Sequence, residues 1–241
     1  LLLRDITREK SLEEERDEFI SVVSHELRTP ISIAEGNLSN AIFTSEKAGQ
    51  DENVKLLKQA HNQILYLSNI VNDLSTLSRA QRGKLTLEIE SVNMHDLATE
   101  LEGLYQPQAE QKGLKFVSDI DPKLESINSS RLYIKEIAQN FISNAIKYTE
   151  QGTVTLSVRQ VKGGVEIDVT DTGLGISKAD QEKVFDKFFR AEDFKTRKQS
   201  GTGLGLYVTM KLIRLIRAKV GLASELGKGS TFKVFVPDLK P

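Results

Sequence analysis

Two apolar seams in the first third of the chain limit its fold more than any other feature. Leu57, Ala60, Ile64, Leu67, Val71 and Leu74 recur at spacings of three and four, as do Leu27, Ile31, Ala34, Leu38 and Ala41. Such spacing lines one stripe of a helix, as in a coiled-coil seam. Between the seams, Thr44 to Asn53 is polar and contains Gly49, so it reads as the loop of an antiparallel helical hairpin. One hairpin buries only a narrow stripe, whereas two hairpins from two chains close a four-helix bundle. The pattern therefore predicts a homodimer.

The texture changes near Gly83. Before it, only Pro30, Gly36 and Gly49 interrupt a helical pattern; beyond it glycines are frequent and short β-branched runs begin. Strands are expected at Leu85–Ile89, Lys115–Asp119, Thr153–Arg159, Val165–Thr170, Lys219–Ser224 and Thr231–Val236. Helices are expected at Met94–Lys112, Ser130–Tyr148, Lys178–Val184 and Gly205–Arg217. Glu150-Gln151-Gly152 and Lys162-Gly163-Gly164 read as hairpin turns. This mixture predicts an α+β domain, one sheet with helices on one face. The boundaries drawn are 1–18 as a helical linker, 19–82 as the hairpin and 83–241 as the mixed domain.

Composition removes several function classes. The chain has 241 residues and no cysteine, which excludes disulfides, thiolate nucleophiles, Cys-ligated zinc and iron–sulfur clusters. A net charge of -1 gives no general polyanion-binding surface, so nucleic acid is not an expected partner. No apolar run approaches the ~18 residues of a membrane span, so direct membrane contact is not expected. Leu1 to Leu3 run at once into Arg4 and Asp5 and do not form a signal peptide. The helical pattern starting near Thr7 has no clean cap, so the chain reads as a piece of a larger protein.

His25 sits in a segment where Phe19, Ile20, Val23, Leu27, Ile31, Ala34, Leu38 and Ala41 share a sector of roughly 120° on a helical wheel. On that wheel His25 lies about 170° from the sector's centre, on the side of Ser21 and Ser32. A lone histidine there is ordinarily a surface residue. Its neighbours argue for more: a neutral imidazole is nucleophilic near neutral pH, Glu26 can hold the ring tautomer or accept its proton, and Thr29 shares its side of the helix. Pro30 should bend the helix just beyond. His61 and His95 lack such company and read as structural or surface residues.

Two glycine-rich stretches follow, Asp171-Thr-Gly-Leu-Gly-Ile176 and Gly201-Thr-Gly-Leu-Gly-Leu206. The first ends a strand and begins with an aspartate. The second opens an apolar helix, whose first N–H groups can hold phosphate oxygens. Neither is a Walker loop or a dinucleotide fingerprint. Upstream, the expected helix at Arg131–Tyr148 puts Asn140 and Asn144 at i,i+4, with Lys147 and Tyr148 next on that face, opposite Ile134, Ile137, Ala138, Phe141, Ile142 and Ala145. Taken alone this is a solvated polar face. It also supplies amide oxygens for Mg²⁺, a lysine for phosphate and an aromatic face for a base. Val184-Phe-Asp-Lys-Phe-Phe-Arg190 lies between the glycine boxes, followed by the polar, basic stretch Ala191 to Ser200; Lys195, Arg197 and Lys198 there read either as a solvated loop or, placed just before a phosphate-holding turn, as a mobile nucleotide lid.

This ordered set resembles the cytoplasmic catalytic core of a sensor histidine kinase of bacterial two-component signalling. Phe19–Pro30 is similar to the family's H-box, Asn140–Tyr148 to its N-box, Asp171–Gly175 to the first glycine box, Val184–Arg190 to the phenylalanine box and Gly201–Leu206 to the second glycine box. The resemblance implies a dimeric four-helix bundle joined to a Bergerat-type α/β sandwich that binds ATP and Mg²⁺. It implies that His25 is the phosphoacceptor, that Glu26 activates it, and that Thr29 serves dephosphorylation of the partner. Asn140 would ligate Mg²⁺; Asn144, Lys147 and Tyr148 would contact phosphate, ribose or base. Asp171 would accept from the adenine amino group, with Gly173 and Gly175 giving the backbone room. Gly201, Thr202, Gly203, Leu204, Gly205 and Leu206 would hinge the lid and hold phosphates, and Arg190 would meet the γ-phosphate.

The implied partners are a second copy of the chain, the receiver domain of a response regulator, and an upstream sensor domain, PAS-like from the short match at Leu3-Arg-Asp-Ile-Thr7. The implied location is the cytoplasm, and the two domains would swing about Arg82–Lys84. A rival is an ATPase of the topoisomerase and mismatch-repair type, with Glu136 activating water; it leaves the His25 helix unused. A second rival is a dimeric scaffold that does not turn over ATP.

Overall fold

The computed structural model describes residues 7–81, 86–190 and 203–239, without the side chains of 7–22, 25, 26, 80 and 81. The chain divides into two compact units, Leu1–Leu85 and Thr86–Pro241. Among the described residues, no helix is long and apolar enough to cross a membrane.

The first unit is a hairpin of α1 (Thr7–Lys47) and α2 (Asp51–Gln81). α1 runs through Pro30 as one helix of 41 residues, and the missing N–H removes one rung of the i→i−4 ladder. The connection is shorter than the polar stretch Thr44–Asn53, because both helices extend into it. Gly49 takes φ 67° in the turn, and Gln50 N donates to the Ser45 carbonyl at 3.0 Å. The α2 seam also differs from the one read in the sequence. Val54, Leu57, His61, Ile64 and Ser68 are half-buried and Val71 is buried, whereas Ala60 and Leu67 face out. Polar residues therefore share the intrachain stripe, and the Ser39 hydroxyl lies 3.3 Å from His61 Nε2.

The second unit opens on β1 (Glu90–Asn93), α3 (Met94–Gln111), β2 (Lys115–Ile120), β3 (Ser126–Ser129) and α4 (Arg131–Tyr148). It continues with β4 (Thr153–Val161), β5 (Gly164–Asp171), α5 (Lys178–Gln181), α6 (Gly205–Leu215), β6 (Lys219–Glu225) and β7 (Gly229–Pro237). Five strands form a mixed sheet in the order β2-β4-β5-β7-β6, and β1 pairs with β3 in a separate ribbon. Among the described residues only the β2–β4 pair is parallel, and α4 lies between those two strands in sequence. Glu150-Gln151-Gly152 is therefore an αβ connection rather than a hairpin, while Lys162-Gly163 does turn β4 into β5.

Burial alternates along the strands: Val154, Leu156, Val158, Val165, Ile167, Val169, Phe232, Val234 and Val236 point into the core. α3, α4 and α6 pack against the sheet, whose other face carries polar and charged side chains. There Arg159 pairs with Asp119 at 2.6 Å and Lys233 with Glu166 at 2.9 Å. Phe141 of α4 stacks on Phe232 of β7 at 5.0 Å, and Phe185 meets Phe232 edge-on at 6.4 Å. Those three rings hold the segment after α5 beneath α4.

Of the strand expected at Leu85–Ile89, Leu85 lies outside the described residues and the rest is not a strand. Thr86–Ile89 is unpaired, and the strand begins at Glu90, where register with Ser129 starts. Its hold is a side chain instead: Tyr133, buried on α4, donates its hydroxyl proton to the Thr86 carbonyl at 3.0 Å. α5 ends at Gln181, short of Val184, because turns follow directly. Asn93 caps α3 through its Oδ1, accepting from the backbone of His95 and Asp96.

Candidate functional site

In the hairpin, His25 and Glu26 lie on the backbone of α1, with side chains outside the described residues. Thr29, one turn on, is exposed. Arg28 donates from Nε and Nη2 to Asn72 Oδ1, each at 3.4 Å, and so ties this stretch of α1 to α2.

In the second unit α4 is the spine. Its apolar side buries Ile134, Ile137, Ala138, Phe141 and Ile142, which leaves Asn140, Asn144, Lys147 and Tyr148 along the opposite side. Asn144 Nδ2 donates to Asn140 Oδ1 at 2.8 Å, fixing the first amide while leaving that oxygen a second lone pair. The start of α6 reaches the same place. A Cβ on Gly205 would stand 2.6 Å from Asn140 Nδ2, so glycine is what lets this helix N-terminus approach the amide pair. Leu204 is buried, and Leu206 is half-buried. Gly203, at φ 70°, packs on the phenylalanine segment, and Phe188 N donates to its carbonyl at 3.0 Å. Gly201, Thr202 and the basic stretch around Lys195–Lys198 lie outside the described residues.

The first glycine box folds onto the end of α4. Asp171 is buried, and its Oδ1 accepts from Gly173 N at 2.8 Å. A Cβ on Gly173 would overlap the Tyr148 carbonyl oxygen, and one on Gly175 would overlap that of Glu225. The sequence pointed to these glycines, whereas the groups they leave room for are visible only in the fold. Burial holds the Asp171 carboxyl above the usual carboxylate range, against backbone donors from Gly173 and Ser230.

Lys147 and Tyr148 occupy the last turn of α4, with Lys147 Nζ 4.8 Å from the Tyr148 ring centroid. Burial lowers the Lys147 pKa to about 8, and the Arg190 guanidinium nearby acts in the same direction. Burial raises Tyr148, and Arg190 opposes that shift. Arg190 is thereby placed with this pair.

The last four carbonyls of a helix have no intrahelical donors. Here each finds one. The Ala145 carbonyl accepts from Thr149 N at 3.2 Å and from Thr149 Oγ1 at 2.7 Å. Those of Ile146 and Lys147 accept from Lys112 Nζ at 2.6 and 2.8 Å. That of Tyr148 accepts from Leu174 N, inside the glycine box, at 3.2 Å. Neither Lys112 nor Thr149 stands out in the sequence.

The site thus offers a helix N-terminus and two cations to an anion, an amide oxygen to a hard cation, and a buried carboxylate to an N–H donor. Comparison with known proteins places this arrangement. Residues 129–240 match the family described as histidine kinase-, DNA gyrase B- and HSP90-like ATPase, and residues 15–83 match the His Kinase A (phospho-acceptor) domain. The aerobic respiration control sensor protein ArcB of Escherichia coli is 34% identical across 97% of this chain and 31% of its own length. The autoinducer 2 sensor kinase/phosphatase LuxQ of Vibrio vulnificus is 31% identical across 92% of this chain and 26% of its own. The chain therefore spans about a third or less of these curated relatives. The crystal structure of full-length ShkA in complex with AMPPNP superposes with a TM-score of 0.69 at 28% identity, over 91% of this chain and 46% of that one. The Acinetobacter baumannii histidine kinase AdeS shares the fold, with a TM-score of 0.62 at 24% identity over 90% of this chain and 98% of its own. With a phospho-acceptor domain followed by an ATPase domain of this type, the chain belongs to the sensor histidine kinases.

Proposed function

We propose that the chain is the ATP-dependent phosphorylation core of a two-component sensor, in which His25 takes the γ-phosphoryl group and passes it to an aspartate of a response-regulator receiver domain. The observation that carries this reading is the approach of Gly205 to the Asn140–Asn144 pair, which puts a helix N-terminus where phosphates meet amide oxygens. The α6 N-terminus, Lys147 and Arg190 hold the phosphates, and Asp171 accepts from the adenine amino group. The second lone pair of Asn140 Oδ1 fits Mg²⁺, which takes hard oxygen ligands and keeps most of its shell as phosphate oxygens and water. Mg²⁺, when bound, neutralises phosphate charge.

An imidazole nitrogen of His25 attacks the γ-phosphorus in line. The N–P bond forms as the bond to the β–γ bridging oxygen breaks, ADP leaves, and Glu26 takes the imidazole proton. In the second transfer an aspartate oxygen of the regulator attacks, and the N–P bond breaks. Thr29, exposed one turn from His25, positions the water that hydrolyses the regulator's acyl phosphate. The hairpin pairs with a second copy, an upstream sensor domain governs the balance, and the core works in the cytoplasm. A water-activating role for Glu136 is not favoured, since residues 15–83 match a phospho-acceptor domain that such an ATPase leaves unused.

Incubation with [γ-³²P]ATP tests the reading. Wild type should carry acid-labile, base-stable label, and His25→Ala should carry none while binding ATP with unchanged affinity. Equal labelling of that variant overturns the assignment of His25. Thr29→Ala should keep autophosphorylation and lose phosphatase action toward the phospho-regulator; loss of both contradicts its separate role.

A further inference from the structure

We propose that Lys112 is a positioning residue for nucleotide, holding the last turn of α4 so that Lys147 and Tyr148 face the bound phosphates and base. It rests on the reading that this site binds ATP. Lys112 lies at the end of α3, 34 and 35 residues from the two carbonyls it serves. Its ammonium donates to the Ile146 carbonyl at 2.6 Å and the Lys147 carbonyl at 2.8 Å, which are charge-assisted contacts at the negative end of a helix dipole.

The neighbouring carbonyls have other donors, in Thr149 and Leu174, and Lys112 supplies the side-chain donor to the carbonyls of the two peptides between them. Those two peptides flank the Lys147 Cα. α3 also grips the other end of α4, because Glu100 accepts from Arg131 Nη2 at 2.6 Å and from Lys135 Nζ at 2.5 Å. Partial burial lowers the pKa of Lys112, against the pull of Glu150. A side chain that gives up solvation to bond two helix-end carbonyls directs its energy to the geometry of that turn.

Without Lys112 the turn frays locally. Lys147 then loses its pre-set direction, and ordering it on binding costs affinity. The test is a double-mutant cycle on the whole chain, with ATP affinity measured by calorimetry for Lys112→Met, Lys147→Ala and the pair, and with Lys112→Arg as the conservative variant. Lys112→Met should weaken ATP binding about tenfold, and Lys112→Arg should restore most of it. In the Lys147→Ala background the effect of Lys112→Met should shrink to about twofold or less, because the residue through which it acts is gone.

An equal loss in both backgrounds makes Lys112 a general stabiliser and overturns the proposal, as does no loss in either. Should Lys112→Met fail to fold, Lys112→Gln keeps a neutral amide donor and carries the same cycle with a smaller expected loss. Wild type that binds no ATP would instead sink the nucleotide reading itself.

Discussion

The two units solve the problem of burial differently. The catalytic unit encloses its own core: Ile134, Phe141, Ile142, Val154, Leu156 and Val234 have no exposure at all. The hairpin leaves Ile33, Phe43 and Leu56 about three-fifths exposed and half-exposes Leu27 and Leu67, while few of its described side chains are buried. Two long helices cannot cover two apolar stripes each. The catalytic unit closes its own core, and the hairpin leaves apolar side chains uncovered. The difference teaches where the proposed functions would have their conditions: nucleotide binding would need only a single chain, whereas presenting a phospho-acceptor would need a second copy.

The largest expected effect breaks one unit and spares the other. Gly229 sits at φ 109°, and a Cβ there would overlap the Asp171 carbonyl oxygen. Gly229→Ala should cost the catalytic unit about 4 kcal/mol, seen as collapse of one calorimetric transition and loss of ATP binding. The hairpin's transition should not move. A single merged transition that shifts as a whole would contradict independent units.

Next comes the hairpin's missing half. Leu67→Glu places a carboxylate where a second copy should dock, at a cost on the order of 3 kcal/mol to association. Sedimentation should show dissociation, with ATP affinity unchanged. A dimer that survives intact would mean the second copy covers a different stripe.

Smaller and graded is the response to pH. Lys147, with its pKa lowered to about 8, loses its ammonium as pH rises through that value, so ATP affinity should fall on the alkaline side. Its folded pKa lies below the ordinary 10.5, so the folded unit binds fewer protons than the unfolded chain in between. The unliganded unit should therefore gain stability from about pH 8 upward while it loses affinity. On the acidic side Asp171, raised by burial, is protonated earlier than an ordinary aspartate and would then lose its proposed role as acceptor for adenine. Affinity plotted against pH should be bell-shaped, and Lys147→Arg should flatten its alkaline limb alone.

Part of the candidate site's local geometry was legible because its residues are close in sequence. Asn140 and Asn144 announced a shared helix face by an i,i+4 spacing, and they do bond to each other. The glycine boxes were legible as turns, but not what they leave room for: that Gly205 meets Asn140 depends on two segments of the sheet domain folding together. Lys112 was silent, since no local pattern links it to carbonyls 34 and 35 residues away. The ribbon of β1 and β3 was misplaced or missed because Ser126-Ile127-Asn128-Ser129 offers one buried apolar side chain and no alternation to read. In the hairpin the spacing of three and four was right, but it does not say which of two adjacent stripes faces its own chain.

The parallel pairing of β2 with β4 also bears on how the molecule comes to exist. Lys115 is paired with Thr153 and Ile120 with Val158, so the loop that must close before this edge gains a hydrogen bond contains all of α4. Closure of such a loop is slow compared with joining two adjacent helices, and its entropy is lost before any contact rewards it. The hairpin of α1 and α2 should thus be complete while the sheet is still searching. On a ribosome the acceptor module would emerge first and fold first. α4 would be locked into place only when the strands on either side of it meet, so a chain can form its helical hairpin well before the end of α4 is set.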